Sequence, residues 1–345
     1  MSPKKRRPRH HHKPGRDQDP AAIQRRREHL AEQDAPAHLN PDELVTDCDP
    51  NGLVVSPYGL LAFVKWEGEE DVCRIVPRLT DGKKSFLAPG DRVRVELVED
   101  EPTITEVAPR RNKLGRPKTG QDREQVFAAN IDLLVIVAST KKPYFKPGLV
   151  DRFLIAAENG GVKSALCVNK MDLVDDPPPE AKAYEDIGLD VVYTSCETER
   201  GLDTLRELLQ GKTSVLAGHS GVGKSSIVNA LHPTLDLATQ EVSTQTDKGK
   251  HTTTSSRLYE LDESTKIIDT PGIKQLGLWG VSKEEVPQYF PEIADLATQC
   301  KFRNCTHQHE PGCAVLEALE AGNIAQHRYD SYLRIRQSLE EQESY

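Results

Sequence analysis

Nowhere in the 345 residues does an apolar run approach the ~20 needed to cross a bilayer as a helix. The opening stretch PKKRRPRHHHKPGR likewise has none of the apolar core that a secretory signal carries. The two absences lead us to expect a cytoplasmic chain with no membrane partner. Net positive charge is missing as well: 45 Lys and Arg against 54 Asp and Glu leave −9. The chain as a whole would repel nucleic acid, so any RNA contact must be local. There is no disulfide framework either. Three of the seven cysteines crowd with histidines between Cys300 and Cys313, which in a reducing compartment reads as a metal site, and the other four are scattered like ordinary buried thiols. Length is not lacking: two or three domains can each bury a core without a staple.

Residues 1–40 are rich in Pro, His, Lys and Arg and poor in large apolar residues, so they are expected to form a disordered basic tail. Such a tail is either a solubilising appendage or a nucleic-acid tether acting by counterion release. Residues 41–111 carry the runs GLVVS, GLLAFVKW, DVCRIVP, DRVRVELV and TITEVAP, separated by Pro50-Asn51-Gly52, Asp81-Gly82 and Pro89-Gly90-Asp91. The pattern predicts about five strands and a small closed barrel, of the OB or SH3-like kind. Residues 110–123 hold six Lys or Arg against one Asp and read as a mobile basic connection. From there to residue 280 the pattern is α/β. Strands are expected at 133–138, 164–168, 191–194 and 213–217, with helices at 148–159 and 202–209.

The last of those strands runs into Gly218-His219-Ser220-Gly221-Val222-Gly223-Lys224-Ser225, which with Ser226 opens an apolar helix. A phosphate loop needs this strand, glycine turn and helix start. Its backbone N–H groups face phosphates, Lys224 offers a point charge to the β and γ groups, and the Ser225 hydroxyl can reach Mg2+. Downstream, TKIID ends in Asp269-Thr270-Pro271-Gly272, where the Asp269 carboxylate would reach Mg2+ through water and the Gly272 N–H would sense a γ-phosphate.

Asn169-Lys170-Met171-Asp172 closes another strand and fits guanine. The Asp172 carboxylate accepts from the base's N1–H and 2-amino groups, donors that adenine does not have. Asn169 would brace the neighbouring loops, and the Lys170 stem would cover a base face. Thr194-Ser195-Cys196 comes next, where guanine-binding proteins usually carry Ser-Ala and turn a backbone N–H toward the base oxygen. A small Cys at 196 leaves that backbone contact possible. These guanine motifs precede the phosphate loop, the reverse of the usual order, so the domain is circularly permuted.

Residues 281–345 contain Cys300, Cys305, His307 and Cys313, three thiolates and an imidazole whose types suit one tetrahedral, structural Zn2+. His309 is the weaker rival ligand. Helices are expected over 314–322 and 324–339.

The ordered set of a β-barrel, NKMD, TSC, GHSGVGKS, GKHTTT, DTPG and CKFRNCTHQHEPGC resembles the ribosome small-subunit-dependent GTPase A family (RsgA, also called YjeQ or YloQ) over about residues 44–339. The resemblance implies a multidomain chain with an OB-fold barrel, an α/β circularly permuted P-loop GTPase domain and a small helical zinc-binding domain. It also implies a monomer that binds the small (30S) subunit and its 16S rRNA. The subunit would stimulate its GTP hydrolysis, and it would assist late maturation of that particle.

After DTPG stands Ile273, which cannot orient the attacking water, so intrinsic hydrolysis should be slow. His251, in the first-switch sequence GKHTT, is the nearest candidate for that task, and the resemblance points to the same residue. The bland alternative is a solvent-facing or RNA-contacting histidine. One of Thr252 and Thr253 should ligate Mg2+, and the sequence does not choose between them. The competing function is a nucleotide-dependent RNA-binding scaffold with incidental turnover. A tRNA-modification GTPase is disfavoured because no further catalytic cluster accompanies the switches.

Overall fold

The apolar runs of the N-terminal third do become strands. In the computed structural model, which describes residues 45–80, 84–117, 124–235, 256–270 and 277–343, these strands are β1 (Gly52–Tyr58), β2 (Leu61–Trp66), β3 (Glu69–Ile75), β4 (Arg92–Val98) and β5 (Glu101–Val107). They close into a barrel in the order β1-β2-β3-β5-β4. β3 and β5 run parallel, and the β1–β4 pair seals the circle. That order is the OB topology, which the strand pattern left open and the family resemblance implied. Alternation along the strands sends Val54, Val64, Val93, Val95 and Ile104 inward, where all are buried.

The turn Pro89-Gly90-Asp91 brings the barrel against residue 129, at the edge of the α/β region. Gly90 has φ +90°, and a Cβ there would lie 2.1 Å from the Ala129 carbonyl oxygen, so only glycine allows the approach. Asp91 is fully buried. Its carboxylate accepts from the Ala88 N–H at 2.8 Å and from Nε and Nη2 of Arg110 at 2.7 and 2.8 Å.

Residues 113–117, read from sequence as part of a basic connection, are a strand. β6 (Lys113–Pro117) pairs antiparallel with β7 (Glu124–Ala129). Two features concealed it: Leu114 is its one large apolar residue, buried at 1% exposure, and the Lys113 charge is met by Glu124 of the other strand at 2.7 Å, diagonally along the ladder.

The α/β region is a six-stranded sheet, β10-β9-β8-β11-β13-β12. Its strands are β8 (Leu133–Ser139), β9 (Lys163–Asn169), β10 (Asp190–Tyr193), β11 (Thr213–Ala217), β12 (Arg257–Glu260) and β13 (Lys266–Asp269). Only β12 is antiparallel to its neighbour. Helices α1 (Pro147–Asn159) and α2 (Pro179–Asp186) cover one face, and α3 (Leu202–Leu209) and α4 (Lys224–Leu231) the other. Every residue of β8 is therefore buried, as a two-sided parallel sheet requires. β12 and α2 carried too little periodicity to be seen in advance.

Beyond the sheet lie α5 (Pro291–Ala297), α6 (Ala314–Glu320) and α7 (Gln326–Glu343), packed around Phe290 and Tyr332, whose rings meet edge-on at 5.9 Å. The helix expected over 324–339 starts two residues later and runs further; α5 was not anticipated. Among the described residues, no helix is long and apolar enough to cross a membrane.

Replacing Asp91 by Ala would leave the Arg110 guanidinium, 9% exposed, without its carboxylate. Urea denaturation of Asp91→Ala should show a loss of about 3 kcal/mol; a loss under about 1 kcal/mol would mean the pair behaves as a solvated one.

Candidate nucleotide and metal sites

β11 is central in the sheet, and its carboxyl end delivers residues 218–223 to the start of α4. The loop is pressed against its neighbours on two sides. A Cβ on Gly218 would sit 2.1 Å from the Val137 carbonyl oxygen of β8, and one on Gly223 (φ +99°) 2.3 Å from Nδ2 of Asn169. The Val222 side chain is buried beneath the loop. Lys224 Nζ bonds the loop's own carbonyls, Gly218 O at 2.8 Å and His219 O at 3.2 Å. His219 Nδ1 lies 2.8 Å from Ser220 O. Burial lowers the Lys224 pKa, while the nearby charge of Asp269, at the end of β13, pulls it back up. The Asp269 carboxyl shows the complement: burial raises its pKa and Lys224 lowers it. Ser225 and Ser226 lie half-buried in the first turn of α4.

The guanine-type motif ends β9, two strands away, yet it is bonded to this loop. Asn169, 2% exposed, donates from Nδ2 to Val222 O at 3.0 Å and accepts at Oδ1 from the Thr194 hydroxyl at 3.1 Å. Lys170 takes φ +66°, and its Nζ reaches Gly221 O and Lys142 O, both at 2.6 Å. Asp172 Oδ1 accepts the Ser195 hydroxyl at 2.6 Å, and Ser195 Oγ accepts the Thr198 N–H at 3.2 Å. That brace fixes one carboxylate oxygen. The Cys196 thiol lies 3.9 Å from Asn169 Oδ1, with its pKa raised by burial.

Sequence reasoning missed the 140–146 loop altogether. The Thr140 hydroxyl donates to Lys170 O at 2.7 Å, and the Lys142 carbonyl is one of the two holding Lys170 Nζ. No nucleotide motif marks this loop, because its contribution is backbone placement. His251, Thr252, Thr253 and Gly272, together with residues 1–44, lie outside the described residues.

In the C-terminal unit, Cys300, Cys305, His307 and Cys313 bring their ligand atoms within 4.8 Å of one another. Cys300 Sγ is 3.8 Å from Cys313 Sγ, and His307 Nδ1 is 3.5 and 3.4 Å from those two sulfurs. Tetrahedral bonds of about 2.3 Å to sulfur and about 2.0 Å to nitrogen imply ligand separations of about 3.8 and 3.5 Å, which the three distances among Cys300, His307 and Cys313 match, and Cys305 offers a fourth donor. His309 is not among these ligand atoms. The backbone of the knuckle is held from α7, where the hydroxyls of Tyr329 and Tyr332 donate to His307 O and Thr306 O at 2.7 and 2.9 Å.

Comparison with known proteins gives concordant matches. The RsgA GTPase family model matches residues 107–279. A small ribosomal subunit biogenesis GTPase RsgA from Gemmatimonas aurantiaca is 41% identical over 260 residues, covering 73% of this chain and 84% of that protein. One from Chlorobaculum tepidum is 40% identical over 306 residues, covering 84% and 98%. Among solved structures, YjeQ from Thermotoga maritima superposes with TM-score 0.65 at 33% identity, covering 84% of this chain and 98% of that one. YloQ, described as a circularly permuted GTPase, gives 0.60 at 30%, covering 85% and 96%.

The contact between the phosphate loop and Asn169 can be tested directly. A methyl group on Gly223 must displace the Asn169 amide and adopt a left-handed backbone. Gly223→Ala should lower thermal stability by about 1–3 kcal/mol, and an unchanged melting curve would show the loop free to move away.

Proposed function

The chain belongs to the RsgA GTPase family, and from that membership we propose that it is a GTP-hydrolysing biogenesis factor of the small (30S) ribosomal subunit. The observation that supports this best is the bonding of Asn169 and Lys170 to Val222 and Gly221, which puts a guanine-reading motif and a phosphate loop in one site despite their reversed order. We assign residues 41–111 to the barrel, 112–280 to the GTPase domain and 281–345 to the metal domain.

Within the site, Asp172 reads the base's N1–H and 2-amino donors, with Ser195 holding its carboxylate in place. The backbone N–H of Cys196 faces the base oxygen. Residues 218–226 wrap the phosphates, Lys224 leaving its loop carbonyls for the β and γ oxygens. The Ser225 hydroxyl, the Asp269 carboxylate and one of Thr252 and Thr253 form the oxygen set that a Mg2+ ion takes. Bound there with GTP, Mg2+ supplies neutralisation of phosphate charge. Gly272 senses the γ-phosphate. Ile273 leaves the attacking water unoriented, and His251 takes that role when the subunit is engaged. The contact on the particle is 16S rRNA, and the protein works as a cytoplasmic monomer away from any membrane. The three cysteines and His307 would hold one structural Zn2+, which would tie the start of α6 to the loop before it.

The test is multiple-turnover GTP hydrolysis with and without isolated small subunits. Subunits should accelerate the wild type by about 100-fold or more, and His251→Ala should keep GTP and subunit binding while losing most of that gain. Equal stimulation of the variant would remove His251 from the mechanism. No stimulation of the wild type would replace the enzyme by the RNA-binding scaffold.

Elemental analysis should find one zinc per chain, and chelation should unfold the C-terminal unit, because binding free energy in such knuckles is folding free energy. A metal-free chain with an unchanged melting temperature would contradict this.

A further inference from the structure

Arg328 stands near the start of α7, yet only 2% of it is exposed. Its Nε and Nη2 hold the two carboxylate oxygens of Glu292 on α5 at 2.6 and 3.1 Å, and its Nη1 bonds Oδ1 of Asp151 on α1. The guanidinium also lies over the rings of Phe290 at 4.5 Å and Tyr184 at 5.2 Å. Glu292 and Phe290 belong to the same C-terminal unit as Arg328. Asp151 and Tyr184 belong to α1 and α2, the helices before and after β9, whose end carries Asn169.

From Tyr184 the contacts run on to the nucleotide site. Its hydroxyl lies 2.9 Å from Asp151 Oδ1 and 3.1 Å from Pro147 O, and its ring meets Phe145 edge-on at 6.2 Å. Phe145 lies in the 140–146 loop, whose Thr140 hydroxyl and Lys142 carbonyl bond the backbone and the Nζ of Lys170. An uninterrupted set of packed and hydrogen-bonded groups thus joins the metal-bearing unit to the residue whose stem would cover the base.

We propose that Arg328 is a positioning residue for guanine nucleotide binding, acting through Asp151, Tyr184 and Phe145 on the loop that holds Lys170. The proposal rests on the GTPase reading and adds to it a route from the C-terminal unit to the base. A planar guanidinium is required, because one group must satisfy two carboxylates and lie between two rings, which a lysine ammonium cannot do. A lysine at 328 cannot hold Glu292 and Asp151 together, so Asp151 loses its bond to the C-terminal unit, α1 must shift to solvate it, and the loop that leads into α1 shifts too. The route ends at Lys170, whose stem is assigned to the base and whose Nζ bonds Gly221 O, parts of the site that GTP and GDP share. GTP and GDP affinities must therefore change by the same factor, and a partner that moves α7 must alter both, as nucleotide in turn alters docking.

The test uses the full-length metal-loaded chain and intrinsic GTP hydrolysis, where slow chemistry makes KM report binding. Arg328→Lys and Phe145→Leu should each raise KM for GTP and the GDP dissociation constant together, by about 5- to 10-fold, with kcat and metal content unchanged. The double variant should fall short of the product of the two, since both break one set of contacts. Arg152→Ala is the control: it removes the 2.5 Å bond from Arg152 Nη2 to the Ser338 hydroxyl, also between α1 and α7, and should leave KM unchanged. If Arg328→Lys loses its metal or its fold, Phe145→Leu, outside the C-terminal unit, carries the test. An unmoved KM in a folded Arg328→Lys or Phe145→Leu variant overturns the proposal. So does an equal rise in Arg152→Ala, which would signify general loosening, or a change confined to GTP. A wild-type chain that binds neither nucleotide overturns the GTPase reading itself.

Discussion

The 3.0 Å bond from the Asn169 amide to the Val222 carbonyl is the contact on which the candidate nucleotide site depends. β9 and β11 are not neighbours; β8 lies between them, and the two loops meet only above its end. Gly223 has no Cβ because the amide occupies that space. The Lys170 ammonium makes the second tie, to Gly221. A parallel sheet brings the carboxyl ends of its strands to one edge, and ligand sites of α/β folds gather there. Circular permutation leaves this intact, since it alters which strands are linked by chain and not which strands are adjacent.

The other two units hold the sheet from different sides. The barrel grips β12: the Ser56 hydroxyl donates to Ser256 O at 2.9 Å, Lys65 pairs with Glu260 and Arg257 with Glu70, both at 2.5 Å, and Arg257 lies over the Phe63 ring at 5.3 Å. β12 is the first strand after the segment read as the first switch. The C-terminal unit grips α1 and α2 through Arg328. Each attachment combines apolar packing, Val55 against Leu258 on one side and Ile155 in the cluster of Phe290 on the other, with charged pairs that differ in dielectric setting. The barrel pairs are partly exposed and contribute little each, whereas the Arg328 set is dry and costly to break.

The Cys and His knuckle obeys a different logic from either attachment. Its four donor atoms gather within 4.8 Å because only short loops separate Cys300, Cys305, His307 and Cys313. Tyr329 and Tyr332 hold the knuckle backbone from α7, and Arg328, one residue before Tyr329, points into α1. The helix thus links the knuckle to the GTPase fold within a single turn.

The residues by themselves determined whatever is local. Glycines at 218, 221 and 223 and the NKMD tetrapeptide are read within a few positions, and so are the barrel runs with their turn residues and the Cys and His spacing, because each depends on backbone torsions or on ligand type. Only the tertiary structure decided the OB strand order, since strand pairing is set by closure of the sheet and leaves no mark on a run of alternating residues. It also decided that 113–117 forms a strand, whose partner is the whole of β7 and not anything in its own composition. The 140–146 loop and Arg328 were illegible for the same reason. Their roles come from a carbonyl that accepts an ammonium and a guanidinium that finds carboxylates on two other helices, and long-range partners of that kind exist only once the chain has folded.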